Sequence, residues 1–153
     1  MNARAAARQA AILSLFCFCL SGSALAALGE GEASIALDQA QMKATRRVVA
    51  ASQYTVHEIQ TSAGTMVREY VSLDGLVFAV SWKGPLMPDL QQVLGGYFAA
   101  YRAAGRSQLV RRGSLRLQQP GLVVHSGGRM RAFSGLAYLP QQLPANVTAD
   151  ELQ

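Results

Sequence analysis

Cysteine is scarce in this chain. Its two cysteines, Cys17 and Cys19, both fall inside the apolar run "AAILSLFCFCL" near the N-terminus. Nothing after that run could form a disulfide or offer thiolates to a metal, so a cysteine-stapled scaffold and a zinc ribbon are both excluded. Lysine is almost as rare. Lys43 and Lys83 are the only two, and the arginines are dispersed, which is not the dense cationic stripe of a nucleic-acid binder. The two histidines, His57 and His125, stand far apart and show no metal-ligand spacing,. Past residue 26 no apolar stretch approaches the ~20 residues that a membrane-spanning helix requires. Internal repeats and low-complexity tracts are also missing.

The N-terminus has a recognisable design. Arg4 and Arg8 precede the apolar run Ala10 to Leu20, and "SGSALA" closes it with small residues ending Ala24-Leu25-Ala26. A positive start, a short apolar core and an A-x-A exit are the pattern of a cleaved secretory signal peptide, here residues 1–26. Cleavage there would remove both cysteines, and the loss of Arg4 and Arg8 would lower the formal charge from +5 to +3. What remains is long enough for one domain with a single core. The expected address is the periplasm or the space outside the cell.

Residues 27–52 read as a flexible leader. "LDQAQMKATRRVVA" has helix-favouring composition, so a short helix is expected there, with Asp38 as its cap. From Tyr54 the pattern turns to β. "YTVHEIQT" and "TMVREYVS" are rich in β-branched and aromatic residues, and Asp74-Gly75 is a strong hairpin signal. "LVFAVSWKG" alternates, placing Leu76, Phe78, Val80 and Trp82 on one face and Val77, Ala79, Ser81 and Lys83 on the other. The period then changes. Leu90, Val93, Leu94, Tyr97, Phe98 and Tyr101 recur at helical spacing, which predicts one long helix from Pro88 to a Gly105 cap. Gly95 and Gly96 in its middle suggest that another backbone packs closely there. "SLRLQQ", "LVVHS" and "RMRAFSGLAYL" complete the pattern as three more strands, separated by Pro120-Gly121 and Gly127-Gly128. The expected architecture is α+β: two three-stranded antiparallel meanders, one long helix inserted between them and packed on a sheet face. Residues 53–153 form one domain with an irregular tail after Pro140.

Three stretches, "YTVHEIQTSAGTMVREYVS", "WKGPLMPDLQQVLGGYF" and "VVHSGGRMRAFSGLAYLP", resemble a family of exported proteobacterial proteins known as domain of unknown function 2844. The resemblance extends from about Tyr54 to the end, and "MPDL" and "HSGGRMRAFSG" are its most specific motifs. It implies export and a single domain, and it brings no activity with it.

The chemistry concentrates in "HSGGRMRAFSG". Its simplest reading is a hairpin tip, with Gly127-Gly128 supplying positive φ angles. The second reading is an anion site: His125, Ser126, the Gly127 and Gly128 amides, and Arg129 and Arg131 on one strand face, with Arg111, Arg112 and Arg116 extending the basic surface. Lipopolysaccharide, a cell-wall peptide or another anionic envelope protein would suit such a site. The third is hydrolase-like catalysis, in which Ser126 or Ser134 attacks, His125 or His57 acts as base, and Glu58 or Glu69 orients it. Adjacent His125 and Ser126 point to opposite faces of a strand and cannot serve each other. No metal or other cofactor is implied. The expected role is that of an exported, non-enzymatic envelope or interaction protein, and the rival is a small periplasmic enzyme.

Overall fold

A computed structural model of the chain describes residues 28–107 and 114–152. Seven strands form one antiparallel sheet: β1 (Thr45–Ala50), β2 (Tyr54–Gln60), β3 (Met66–Ser72), β4 (Val77–Gly84), β5 (Leu115–Gln119), β6 (Leu122–Arg129) and β7 (Ala132–Tyr138). Their order across the sheet is β1-β2-β3-β4-β7-β6-β5. The last strand in sequence therefore pairs with β4 at the centre, and the two hairpin-linked runs join into one layer. Among the described residues three α-helices accompany them: α1 (Ile35–Gln41), α2 (Leu90–Leu94) and α3 (Phe98–Ser107). The fold is α+β with an antiparallel sheet.

The expected leader holds two of these elements. Helix α1 forms, but "TRRVVA" leaves the helix and becomes the edge strand β1, paired along its length with β2. Arg46, Arg47, Val48 and Val49 suit an extended edge because their β-branched and long side chains alternate across the sheet. Asp38 is not a cap. It lies within α1 and is fully buried. Leu28 is buried as well, and its N–H donates to the Val93 carbonyl.

The expected long helix is broken. Asp89 caps α2, its Oδ1 accepting from the N–H groups of Gln91 and Gln92 at 2.9 and 3.4 Å,. After five residues Gly95 takes φ 49°, a 3-10 turn follows through Tyr97, and α3 starts afresh at Phe98. Nothing lies within 4 Å of the position a Cβ on Gly96 would occupy. At Gly96 no neighbouring backbone requires a glycine, and Gly95 redirects the chain through its positive φ. Gly105 lies inside α3, which runs on to Ser107.

Cross-strand pairing makes two straight rows on one sheet face. The first runs Val48, His57, Glu69, Val80, Ala137, Val124, Leu117 from β1 to β5; the second runs Arg46, Ile59, Val67, Trp82, Gly135, Ser126, Leu115. Over this face pack Leu28, Ile35, Val93, Leu94 and Ala104, so the helices close the main core here. Trp82 lies directly over Gly135. A Cβ added at Gly135 would stand 2.1 Å from Trp82 Cζ2. This contact gives the glycine of "FSG" its reason.

The alternation expected along β4 fails at one point. Val71 pairs with Val77 and Tyr70 with Ala79, leaving Phe78 as an extra residue. The bulge turns Phe78 to the opposite face from Val80 and Trp82, where it joins Tyr70, Ala79 and Leu136. Tyr54 meets Tyr70 and Phe78 edge-on, with ring centroids at 5.8 and 5.9 Å,. The tail after Pro140 is irregular but docked: Leu152 is fully buried in this second cluster, with Leu143, Val147 and Ala149 packed around it.

Candidate functional site

The tail covers only part of the second face. One row on that face, Val56, Tyr70, Ala79, Tyr138, Val123, is apolar and borders the tail cluster. The next row is different in kind: Glu58, Arg68, Ser81, Leu136, His125, Arg116, one residue from each strand from β2 to β5. Beyond it lie Lys83, Ser134 and Gly127, again directly paired. These two rows floor an open groove of about 520 Å³, a size that accommodates a small ligand or the end of a larger one.

The groove is basic and rich in donors. Arg68 Nε donates to Glu58 Oε1 at 3.0 Å, which fixes its guanidinium at one end. Arg116 stands at the other end, across from His125. Lys83 forms no ion pair among the described residues. Ser81 shares a 3.3 Å hydrogen bond with the Tyr70 hydroxyl, whose pKa is raised, chiefly by burial. Lys83, Ser134 and His125 are exposed and Gly127 is partly exposed, so a ligand can reach them. Forked guanidinium groups, an ammonium and hydroxyls suit phosphate or carboxylate oxygens.

Of the six residues expected to form an anion site, the structure places three along the groove: His125, Ser126 and Gly127. Ser126 is buried because its side chain turns to the helix-covered face beside Gly135. Gly128 is not a turn residue. Strand β6 continues through Gly127, Gly128 and Arg129, and the two-residue turn is Met130-Arg131, closed by the pair Arg129 and Ala132. Gly128 is nevertheless required at φ 137°, where a Cβ would meet the Ala132 carbonyl oxygen at 2.4 Å. Arg131 takes the left-handed φ of 62° in the turn, so Arg129 and Arg131 do not share a strand face. Arg111 and Arg112 lie outside the described residues. Lys83, Ser81 and Arg68 were missed as groove residues. The β4 alternation already placed Ser81 and Lys83 on one face, but only the pairing of β4 with β7 sets them beside His125.

The hydrolase constellation does not assemble. His57 and His125 occupy opposite faces of the sheet, and no serine hydroxyl is hydrogen-bonded to either among the described residues. Instead His57 sits directly opposite Glu69, both fully or almost fully buried beneath α1. Gln92 Nε2 donates to Asp38 Oδ1 at 2.7 Å above them, and Glu32 Oε1 comes within 3.4 Å of His57 Nε2. Burial, then the charge of Arg46, lowers the His57 pKa, with Glu32 opposing. Burial, then the neighbouring Asp38, pushes Glu69 up to about 9, against Arg46. The pair is therefore neutral imidazole and neutral carboxyl near pH 7, a form that suits a water-poor interior. No group of three or more histidines, cysteines or carboxylates suited to a metal occurs among the described residues.

A family model described as protein of unknown function (DUF2844) matches residues 24–152. The match includes all three stretches that carry the sequence resemblance. No curated protein and no solved structure matches the chain. Among the described residues no helix is long and apolar enough to cross a membrane.

Proposed function

The chain belongs to the DUF2844 family, and we propose that it is an exported, non-enzymatic binding protein that holds an anionic envelope component in the groove across β3, β4, β7, β6 and β5. The observation that carries this reading is the pair of rows that brings Arg68, Ser81, His125 and Arg116 together with Lys83 and Ser134 on a sheet face the tail leaves uncovered. The ligand chemistry is phosphate or carboxylate, as found on lipopolysaccharide, cell-wall peptide or an acidic partner protein. Export follows from the residues 1–26 pattern, and N-terminal sequencing of the chain from the periplasmic fraction should find Ala27 or Leu28 first.

Titration with pyrophosphate and with a soluble wall peptide, followed by amide and histidine-ring NMR, tests the groove and separates the two sources. Shifts should concentrate on Ser81, Lys83, His125, Gly127 and Ser134. Lys83→Gln with His125→Ala should weaken binding about tenfold or more, as for the loss of one charge-assisted hydrogen bond. Affinity should also fall with salt, because an open groove is screened over ~8 Å at physiological ionic strength. No shifts on this face with either probe would refute the proposal. Capture from intact envelopes followed by mass spectrometry would then identify the partner of a confirmed groove.

A further inference from the structure

The end of the sheet where β4 finishes and β7 begins carries exposed apolar side chains in a basic setting. Met130 heads the β6–β7 hairpin and is 86% exposed; Leu86 and Met87, in the loop after β4, are 56% and 36% exposed. The elements are neighbours, since Gly84 at the end of β4 pairs with Phe133 at the start of β7. The β2–β3 turn reaches the same end. Thr65 Oγ1 donates to the Leu86 carbonyl at 2.8 Å and accepts from the Leu86 N–H at 3.3 Å, which holds the apolar loop in place. A Cβ on Gly84 would come within 2.5 Å of Thr65, so that loop sits tightly against β4.

Charge is distributed unevenly between the two ends. Arg129 and Arg131 flank Met130, and Lys83 lies just behind. The acidic Asp74 lies in the β3–β4 turn, at the opposite end. Glu30 and Glu32 bond to that same region, through Val77 N–H to the Glu30 carbonyl and Glu32 N–H to the Gly75 carbonyl. Asp89 follows the apolar loop in the chain, and its Oδ1 is engaged in capping α2. Scattered exposed apolar residues are ordinary. Here three of them lie on adjoining loops, two arginines sit beside the most exposed one, and Asp89 after the loop is engaged in its cap.

We propose that this end of the sheet docks on an anionic phospholipid bilayer, with Met130, Leu86 and Met87 entering the interface and Arg129 and Arg131 meeting headgroup phosphates. Exposed methionine and leucine on loops insert between headgroups, while the long arginine side chains keep their charge at headgroup level. Three apolar side chains on two short loops are a poor fit to a second copy of the chain, because a stable protein interface buries ~800 Å² per partner on a complementary surface,. The inference does not rest on the groove, and loss of pyrophosphate binding in Lys83→Gln with His125→Ala would leave it standing.

The test uses the chain isolated after export, its N-terminus checked by mass spectrometry, with vesicles of phosphatidylglycerol and phosphatidylethanolamine or of phosphatidylcholine alone. Co-sedimentation should occur with the anionic vesicles and fall with salt. Met130→Ser should weaken it about tenfold. Arg129→Gln with Arg131→Gln should weaken it roughly 25-fold, about fivefold for each cation near an anionic surface. Met130→Trp supplies a local reporter, because the native Trp82 is buried. Its emission should shift to the blue on anionic vesicles and be quenched by lipids brominated near the headgroup. Unchanged Met130→Trp emission, or binding that survives Met130→Ser and the double arginine replacement, overturns the proposal. So does a concentration-dependent dimer that forms without vesicles and is lost in Met130→Ser.

Discussion

Replacing Glu69 with glutamine should remove most of the alkaline sensitivity of this fold. In the folded protein Glu69 keeps its proton to about pH 9, whereas in an unfolded chain it loses the proton near its ordinary value of 4.5. His57 has its folded pKa below 6.5. Above pH 6.5, therefore, the unfolded chain carries neither proton and the folded chain carries one. Stability changes with pH in proportion to the protons bound unfolded minus those bound folded, so it must fall as pH rises. One proton corresponds to about 1.4 kcal/mol per pH unit, or about 3 kcal/mol between pH 6.5 and 8.5. Below pH 6.5 the two groups oppose one another: the unfolded chain gains the His57 proton that the buried imidazole resists, and the slope flattens. Urea melts at pH 6.5, 7.5 and 8.5 and constant ionic strength measure this. With m near 1–3 kcal/mol/M, the midpoint should drop by roughly 1–3 M for the native sequence. Glu69→Gln imitates the protonated carboxyl and should hold its midpoint across the range. Parallel curves for the two proteins would refute the reasoning, because they would mean that Arg46 keeps Glu69 ionised in the folded state.

Gly135→Ala should destabilise by about 1–3 kcal/mol or more, the cost of overpacking, since the added methyl meets Trp82 at 2.1 Å,; near-UV circular dichroism should report the displaced indole, and an unchanged melt would place Trp82 elsewhere. Leu152→Ala should cost about 2 kcal/mol or more because the side chain is fully buried against Tyr70 and Phe78,. A loss under half a kcal/mol in a urea melt would show that the tail does not contribute to the second core.

Local signals in the sequence were read where the physics is local. The β2, β3 and β4 strands follow from β-branched alternation, and the Asp74-Gly75 turn follows from its residues. The tip of the β6–β7 hairpin misled. Gly127-Gly128 looks like a turn, yet Gly128 is needed within the strand because its Cβ would strike the Ala132 carbonyl, and Arg131 bears the left-handed turn conformation instead. Phe78 misled for a related reason: a bulge of one residue inverts every side chain before it, and strict alternation cannot announce where the bulge falls.

The sequence by itself determined the α+β class, the antiparallel character of the strands, the family and the residue types available for chemistry. All of these depend on composition and on neighbours within a few positions. Only the tertiary structure decided the partner of each strand. The pairing of β4 with β7 places Lys83 beside Ser134 and Trp82 over Gly135, and the continuation to β6 and β5 brings His125 and Arg116 into the same row. The pairing of β2 with β3 buries His57 opposite Glu69 and separates it from His125 by the thickness of the sheet. Those contacts join residues tens of positions apart, and their cause is the burial of two apolar faces at once, a requirement that acts on the whole chain and leaves little local trace.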